Sequence, residues 1–297
     1  MNAKLKGVFV PLATPFDEGQ ELDLKAYRAN IEKLNQTGVA GYMPLGSNGE
    51  FSHMSDEEQL AVLKMISTEA SPEKVRMVGA ARQSAYATVE FMKRAFEYGA
   101  DFFSVLCPSY YADNMNDDAL FAYYTWIADN SPAPVLLYNC PKFAAGVSIS
   151  PALVARLAKH PNIAGMKDTS RGNIESFLKA SEGSEFEVVA GSIENMVPGL
   201  PIGSSGGVIS MSNYLPSQCC EIYELFVSGQ TDKFNELSAG LIALNRGASG
   251  KYGVPGVKAA MNILGYNAGR PRLPLLQLSG EQKIEIEKSF AAAGFTA

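Results

Sequence analysis

The stretch NIAGMKDTSRGN, residues 162–173, runs from an apolar segment, Ile163 to Met166, directly into Lys167 and a polar turn. A strand with one wet face alternates apolar and polar side chains; this one does not, so it reads as a strand covered on both faces. Asp168, Thr169 and Ser170 follow, and they suit the N-cap of a helix expected over 172–181. A covered strand followed by a helix is one unit of a parallel β/α fold. A lysine at the end of such a strand is the feature to explain.

The same unit recurs along the chain. Non-alternating runs at 7–13, 39–43, 75–80, 101–106, 134–138, 162–167, 186–190 and 206–210 read as strands. Amphipathic patterns at 23–36, 55–69, 85–98, 116–129, 150–159, 172–181, 193–200 and 214–228 read as the helices between them. Eight strand–helix pairs in strict order give the α/β class and the count of a (β/α)8 TIM barrel. A doubly wound sheet competes, but it wants a glycine-rich first turn. Here the first strand leads to TPFDEG, residues 14–19, and no GxGxxG follows any strand. Beyond the eighth pair, 229–248 and 279–292 read as helices around a Gly/Pro-rich middle containing GVPGVK and GYNAGRPRLP. The expected organisation is therefore a barrel over 1–228 and a small C-terminal helical extension over 229–297.

Composition narrows the function. The 297 residues are 46% hydrophobic and 19% charged, with a net charge of −6, so nothing attracts nucleic acid or an anionic membrane surface. No apolar stretch reaches the roughly 18 residues a spanning helix needs. The N-terminus meets Thr14-Pro15 too soon for a signal peptide, and the expected location is cytoplasmic. Cys107, Cys140, Cys219 and Cys220 show no CxxC spacing, which argues against disulfides or a zinc site. With two histidines, His53 and His160, read as surface or cap residues, and no HExxH, no metal site is expected. The absence of a GxSxG elbow removes a serine hydrolase of that type.

In such a barrel the loops after the strands' C-terminal ends build the active site. Strand two delivers Gly46-Ser47-Asn48-Gly49-Glu50, and strand four Cys107-Pro108-Ser109-Tyr110-Tyr111. Strand five delivers Tyr138-Asn139-Cys140-Pro141, strand six Lys167, strand seven Gly191-Ser192, and strand eight Ile209-Ser210. A lysine inside a barrel is poorly solvated, which lowers its pKa and leaves some neutral amine at neutral pH. A neutral amine attacks a ketone to form a Schiff base, an electron sink. A phenol relays protons during imine formation and carbon–carbon cleavage. Gly-Ser-Asn-Gly at a turn offers N–H groups and a hydroxyl to a carboxylate. This chemistry needs no metal and no organic cofactor.

These segments, with Thr14-Pro15-Phe16, Gly165-Met166-Lys167-Asp168-Thr169 and Gly206-Gly207-Val208-Ile209-Ser210, resemble the pyruvate-dependent class I aldolases typified by dihydrodipicolinate synthase and N-acetylneuraminate lyase. The resemblance covers essentially the whole chain. It implies Lys167 as the Schiff-base lysine and Tyr138 as the proton-relaying phenol. It implies Ser47 and Asn48 as holders of the 2-oxo acid carboxylate, with Ile209 lending a backbone group. Gly46, Gly191 and Ser210 complete the implied substrate-binding set. Tyr111 matches a tyrosine that the synthase contributes across a dimer interface, and family members are commonly homodimers or homotetramers.

Departures from the family pattern bear on the substrate. The synthase follows its tyrosine motif with an Arg-Thr-Gly segment whose arginine grips the aldehyde's carboxylate. Here the segment reads Pro141-Lys142-Phe143-Ala144-Ala145-Gly146, without arginine. Ile193 stands where the lyase pattern likes an acidic residue. GSNGEF, PSYY and VPGVKAAMNILGY are most similar to the 4-hydroxy-2-oxoglutarate aldolase branch. The expected activity is that of a lyase acting on a 2-oxo acid such as 4-hydroxy-2-oxoglutarate or a 2-keto-3-deoxy sugar acid, with pyruvate as the shared fragment. Dihydrodipicolinate synthesis, N-acetylneuraminate cleavage and a non-catalytic 2-oxo acid binding barrel are the alternatives.

Overall fold

Every one of the eight apolar runs forms a strand in the computed structural model, which describes residues 3–295. The strands close in sequence order, β1 to β8, into a barrel whose strand pairs run parallel. The expected (β/α)8 architecture is thus the observed one. The chain divides into two compact units. One holds Val75–Val208 with the first described residues through Gly7; the other holds Val8–Lys74 with the stretch from Ile209 onward. The expected boundaries at residues 1 and 297 lie outside the described residues.

The first unit carries β3 Val75–Gly79, β4 Phe102–Leu106, β5 Val135–Asn139, β6 Ile163–Asp168, β7 Glu187–Ala190 and β8 Gly206–Val208. Between them run α3 Ala85–Phe96, α4 Asp117–Asn130, α5 Pro151–Leu157, α6 Ile174–Ala180 and α7 Ile193–Gly199. β4, β5 and β7 are buried at every position, the physical reason their sequences do not alternate. Short polar side chains start the helices: Ser84, Asn116, Ser150 and Ser192 each accept a backbone N–H of the first turn. Each such cap contributes about 1 kcal/mol. Gly206 has φ 153, and a side chain there would collide with the carbonyl of Gly7, so only glycine lets β8 begin so close to the start of β1.

The second unit carries most of β1 Gly7–Val10, then α1 Leu24–Asn35, β2 Gly41–Tyr42 and α2 Asp56–Glu69. After β8 it adds α8 Pro216–Val227, α9 Thr231–Gly247, α10 Ser249–Ile263 and α11 Gly280–Ala292. Several strands are shorter than the apolar runs, β1, β2 and β8 most of all. Pro11 has no N–H for a ladder, and Asn213 takes over: its Oδ1 accepts from Ala13 N–H at 3.0 Å and its Nδ2 donates to Pro11 O at 2.9 Å. At the other end of the barrel order, Ser210–Asn213 turns into a 3₁₀ helix where the run 206–210 suggested continued strand. Of the Gly/Pro-rich middle of the extension, GVPGVK lies within α10, while GYNAGRPRLP follows that helix as irregular chain. Gly253 leaves helical geometry (φ 60, ψ −139), and Pro255 opens a second helical segment, where a missing N–H costs nothing.

Candidate active site

Lys167 enters the site through a register shift. Val135 on β5 pairs with Ile163 on β6, but Leu136 pairs with Gly165, so Ala164 is an extra residue on β6. Were Ala164 paired in a regular ladder, Met166 would face Tyr138. With the shift, Tyr138 pairs with Lys167 and Asn139 with Asp168. The Lys167 Nζ lies 4.4 Å from the centroid of the Tyr138 ring. Both side chains are buried, at 6% and 5% exposure. Gly165 permits the close approach of β7, since a side chain there would collide with the carbonyl of Glu187.

Burial pushes the Lys167 amine down to about 8 from the usual 10.5, and Cys140 nearby opposes that shift. The drop corresponds to about 3 kcal/mol of disfavoured ammonium. Because the folded value is depressed, the folded state bears this cost in full below pH 8, and it fades as pH rises toward 10.5. The fold therefore keeps a destabilising lysine at the strand end.

Asp168, expected with Thr169 and Ser170 to cap the next helix, instead ends β6. The residue preceding α6 is Asn173, which makes no side-chain cap. Asp168 Oδ1 accepts from Asn139 Nδ2 at 2.8 Å, Ser170 N–H at 3.1 Å and Ser170 Oγ at 2.6 Å. These bonds hold the carboxyl inward, so it is not available to a helix start. Burial raises its pKa, and the same bonds work against that rise. Asn139 Oδ1 accepts from Ile149 N–H at 3.0 Å, so Asn139 bridges the ends of β5 and β6 to the following loop. Gly191 follows β7 and donates its N–H to Asp168 O at 2.6 Å; a side chain at Gly191 would collide with Thr169. Tyr111 is not buried with Lys167 and Tyr138. It is 70% exposed, edge-on to Tyr110 with ring centroids 5.0 Å apart. Gln83 Oε1 holds that loop by accepting from Ser109 and Tyr110 N–H at 2.9 and 3.0 Å.

In the second unit, Gly46 enters a 3₁₀ turn over Ser47–Gly49 in extended conformation. Asn48 Nδ2 donates to Ser210 Oγ at 2.8 Å, so two of the expected substrate-binding residues meet. Thr14 Oγ1 donates to Gly49 O at 2.8 Å, tying the turn to the segment after β1. Ile209 is fully buried; its carbonyl accepts from Ser212 N–H and Oγ at 3.1 and 2.6 Å. Glu50, quoted in the sequence motif without a role, and Lys258, hidden in GVPGVK, form a buried ion pair behind this turn. His53 and His160 are partly buried beside Glu50 and Asp129, in keeping with surface and cap positions. All four cysteines are free and buried. Among the described residues no group of three or more His, Cys, Asp or Glu is placed to hold a metal ion, and no helix is long and apolar enough to cross a membrane.

A sequence model of the dihydrodipicolinate synthetase family matches residues 4–293. The chain belongs to that family. A 4-hydroxy-tetrahydrodipicolinate synthase of Methanospirillum hungatei is 34% identical over 94% of this chain and 96% of its own length. A probable mitochondrial 4-hydroxy-2-oxoglutarate aldolase of Emericella nidulans is 30% identical over 96% of this chain and 94% of its own length. The crystal structure of a chloride-inhibited dihydrodipicolinate synthase from Acinetobacter baumannii, complexed with pyruvate, superposes with a TM-score of 0.92 at 25% identity, covering 98% of this chain and 99% of that one. The chain is thus a lyase of the dihydrodipicolinate synthetase family, a pyruvate-dependent class I aldolase fold with relatives named for different second substrates.

Proposed function

We propose that Lys167 forms the Schiff base and that the enzyme cleaves or condenses a 4-hydroxy-2-oxo acid, with pyruvate as the common product or donor. The buried pairing of Lys167 with Tyr138 carries this reading. The neutral amine attacks the ketone carbon, a C–N bond forms, and the carbonyl oxygen leaves as water. Tyr138 passes one amine proton to the departing oxygen and solvent supplies the second, so the imine nitrogen keeps one proton. In the cleavage direction the protonated imine accepts the electrons of the breaking C3–C4 bond, Tyr138 takes the proton of the 4-hydroxyl, and the aldehyde leaves. Reprotonation at C3 and hydrolysis release pyruvate and return the lysine. Ser47, Asn48 and Ser210 hold the carboxylate in this reading, with Gly46, Gly191 and the Ile209 backbone shaping the space. Tyr111, exposed in the single chain, meets a second copy in a homodimer or homotetramer. The barrel over 1–228 and the extension over 229–297 remain the proposed division.

The amine's depressed value gives the first test. With Lys167 at about 8, about a tenth of it is neutral at pH 7. The rate of inactivation by subsaturating pyruvate with cyanoborohydride is expected to rise close to tenfold per pH unit below 8 and to level off above. A rate independent of pH between 6 and 8 would remove the buried amine as nucleophile.

The segment after β5 supports the choice of substrate. Pro141–Phe143 forms a 3₁₀ turn whose Lys142 is exposed, its Nζ 5.8 Å from the Phe143 ring centroid. A lysine is a point charge without the planar fork that grips a carboxylate through two bonds. Loss of one charge-assisted bond weakens aspartate semialdehyde by about 1.5–3 kcal/mol, or roughly ten- to 150-fold. The expected order of kcat/KM places a 2-keto-3-deoxy sugar acid, whose aldehyde part carries no carboxylate, at least tenfold above the semialdehyde reaction. The synthase name of the Methanospirillum relative makes the semialdehyde the competitor to measure beside it. A preference for the semialdehyde would overturn the assignment.

A further inference from the structure

The Glu50–Lys258 pair has no part in the chemistry above. Glu50 Oε1 lies 2.6 Å from Lys258 Nζ, with side chains 0% and 2% exposed. Stripping water from two ions is costly, and apolar side chains of the same size often serve stability as well or better. What the pair fixes is therefore the question.

Glu50 closes the Ser47–Gly49 turn and adopts φ 54, ψ 34, a left-handed conformation uncommon for a residue with a Cβ. Its Oε2 accepts from Arg272 N–H at 2.8 Å, with His53 Nδ1 at 3.4 Å. Lys258, on the second segment of α10, also donates to Arg270 O at 2.6 Å and lies 4.6 Å from the Phe16 ring centroid. The Arg272 guanidinium stands 4.1 Å from the same centroid and holds Glu58 through two bonds of 2.9 and 2.7 Å. Each of these contacts belongs to the second unit, and α10 packs on the turn itself. On its other side the turn is held by Thr14 and Ser210.

We infer that the Glu50–Lys258 pair is a positioning device: it holds the Ser47–Asn48 turn in its carboxylate-binding shape, which gives the C-terminal extension a part in substrate affinity. This rests on the reading of Ser47 and Asn48 as carboxylate holders. Two features support a positioning role over a merely structural one. The left-handed residue is the one that carries the buried anion, and that anion is tied to the backbone of the extension as well as to Lys258.

Replacing one partner alone leaves a buried charge without its counter-ion and threatens folding. The test therefore uses the double variant Glu50→Gln/Lys258→Met, similar in size and free of both charges, beside Asn48→Ala. Three quantities are read: the pyruvate concentration giving half-maximal borohydride inactivation, the inactivation rate at saturation, and Tm. Asn48→Ala and the double variant are each expected to raise the half-saturating pyruvate about tenfold. The saturated rate of the double variant should stay within twofold, because Lys167, Tyr138 and the carboxylate holders are untouched. If Asn48→Ala raises it and the folded double variant does not, the positioning role is overturned while the carboxylate reading stands. If neither variant moves it, both are overturned.

Discussion

Lys167→Ala protein mixed with pyruvate and borohydride is expected to gain no mass, and its turnover is expected to fall to background. The parent protein should gain one pyruvate-derived mass on the peptide carrying Lys167 and lose activity irreversibly. The competing nucleophile is Lys258, the other lysine whose amine burial pushes down to about 8. Its chemistry differs, however. Lys258 is ion-paired with Glu50 and donates to the carbonyl of Arg270, so its ammonium is engaged by a carboxylate and a carbonyl. The Lys167 amine lies over the ring of Tyr138, its neighbour on β5. The variant should also fold. Truncating a buried four-carbon side chain leaves a cavity costing about 2–5 kcal/mol, while removing the buried ammonium returns about 3 kcal/mol at neutral pH. The two nearly cancel, and Tm should move little. Should cavity formation dominate, Lys167→Met fills the space and gives the same answer. Mass on Lys258, or on any lysine other than 167, would overturn the assignment.

The stretch that places Lys167 was legible because a strand covered on both faces loses its alternation, and eight such runs in order leave few architectures open. The same property hid the finer geometry. Once alternation is gone, nothing in IAGM marks Ala164 as the residue left out of the ladder, yet that register shift decides whether Met166 or Lys167 faces Tyr138. Local propensity misled at two places. Asp168-Thr169-Ser170 has the composition of a helix cap, but Asn139 and Ser170 hold the Asp168 carboxyl inside the barrel unit. GVPGVK has the composition of a loop, but Gly253 and Pro255 sit where one helical segment ends and the next begins. The Glu50–Lys258 pair joins distant parts of the chain, and a buried lysine within a Gly/Pro-rich segment carries no local signal of its partner. Tyr111 was readable as a motif residue only through family resemblance; its exposure in the single chain is what tertiary structure adds.

Tyr138→Phe should separate the relay from the nucleophile. The substitution removes one hydroxyl and keeps the ring that Lys167 faces at 4.4 Å, so packing and the ammonium–ring contact persist. Tyr138 is 5% exposed, and with its volume nearly unchanged no cavity opens; Tm should shift by little. The chemistry loses its proton carrier at two points: the proton leaving the amine on imine formation, and the proton of the 4-hydroxyl during cleavage. General acid–base catalysis of this kind contributes about 10²–10⁴-fold, so kcat should fall by about 10²-fold or more with KM for pyruvate little changed. Borohydride should still deliver the pyruvate mass to Lys167, only more slowly, because the amine remains and imine formation needs a proton donor more than a particular one. That combination, slow turnover with the label still on the same lysine, is the signature of a relay. A kcat within about threefold of the parent would assign the proton transfers to another group, and complete loss of labelling would make the Tyr138 hydroxyl a requirement for binding instead.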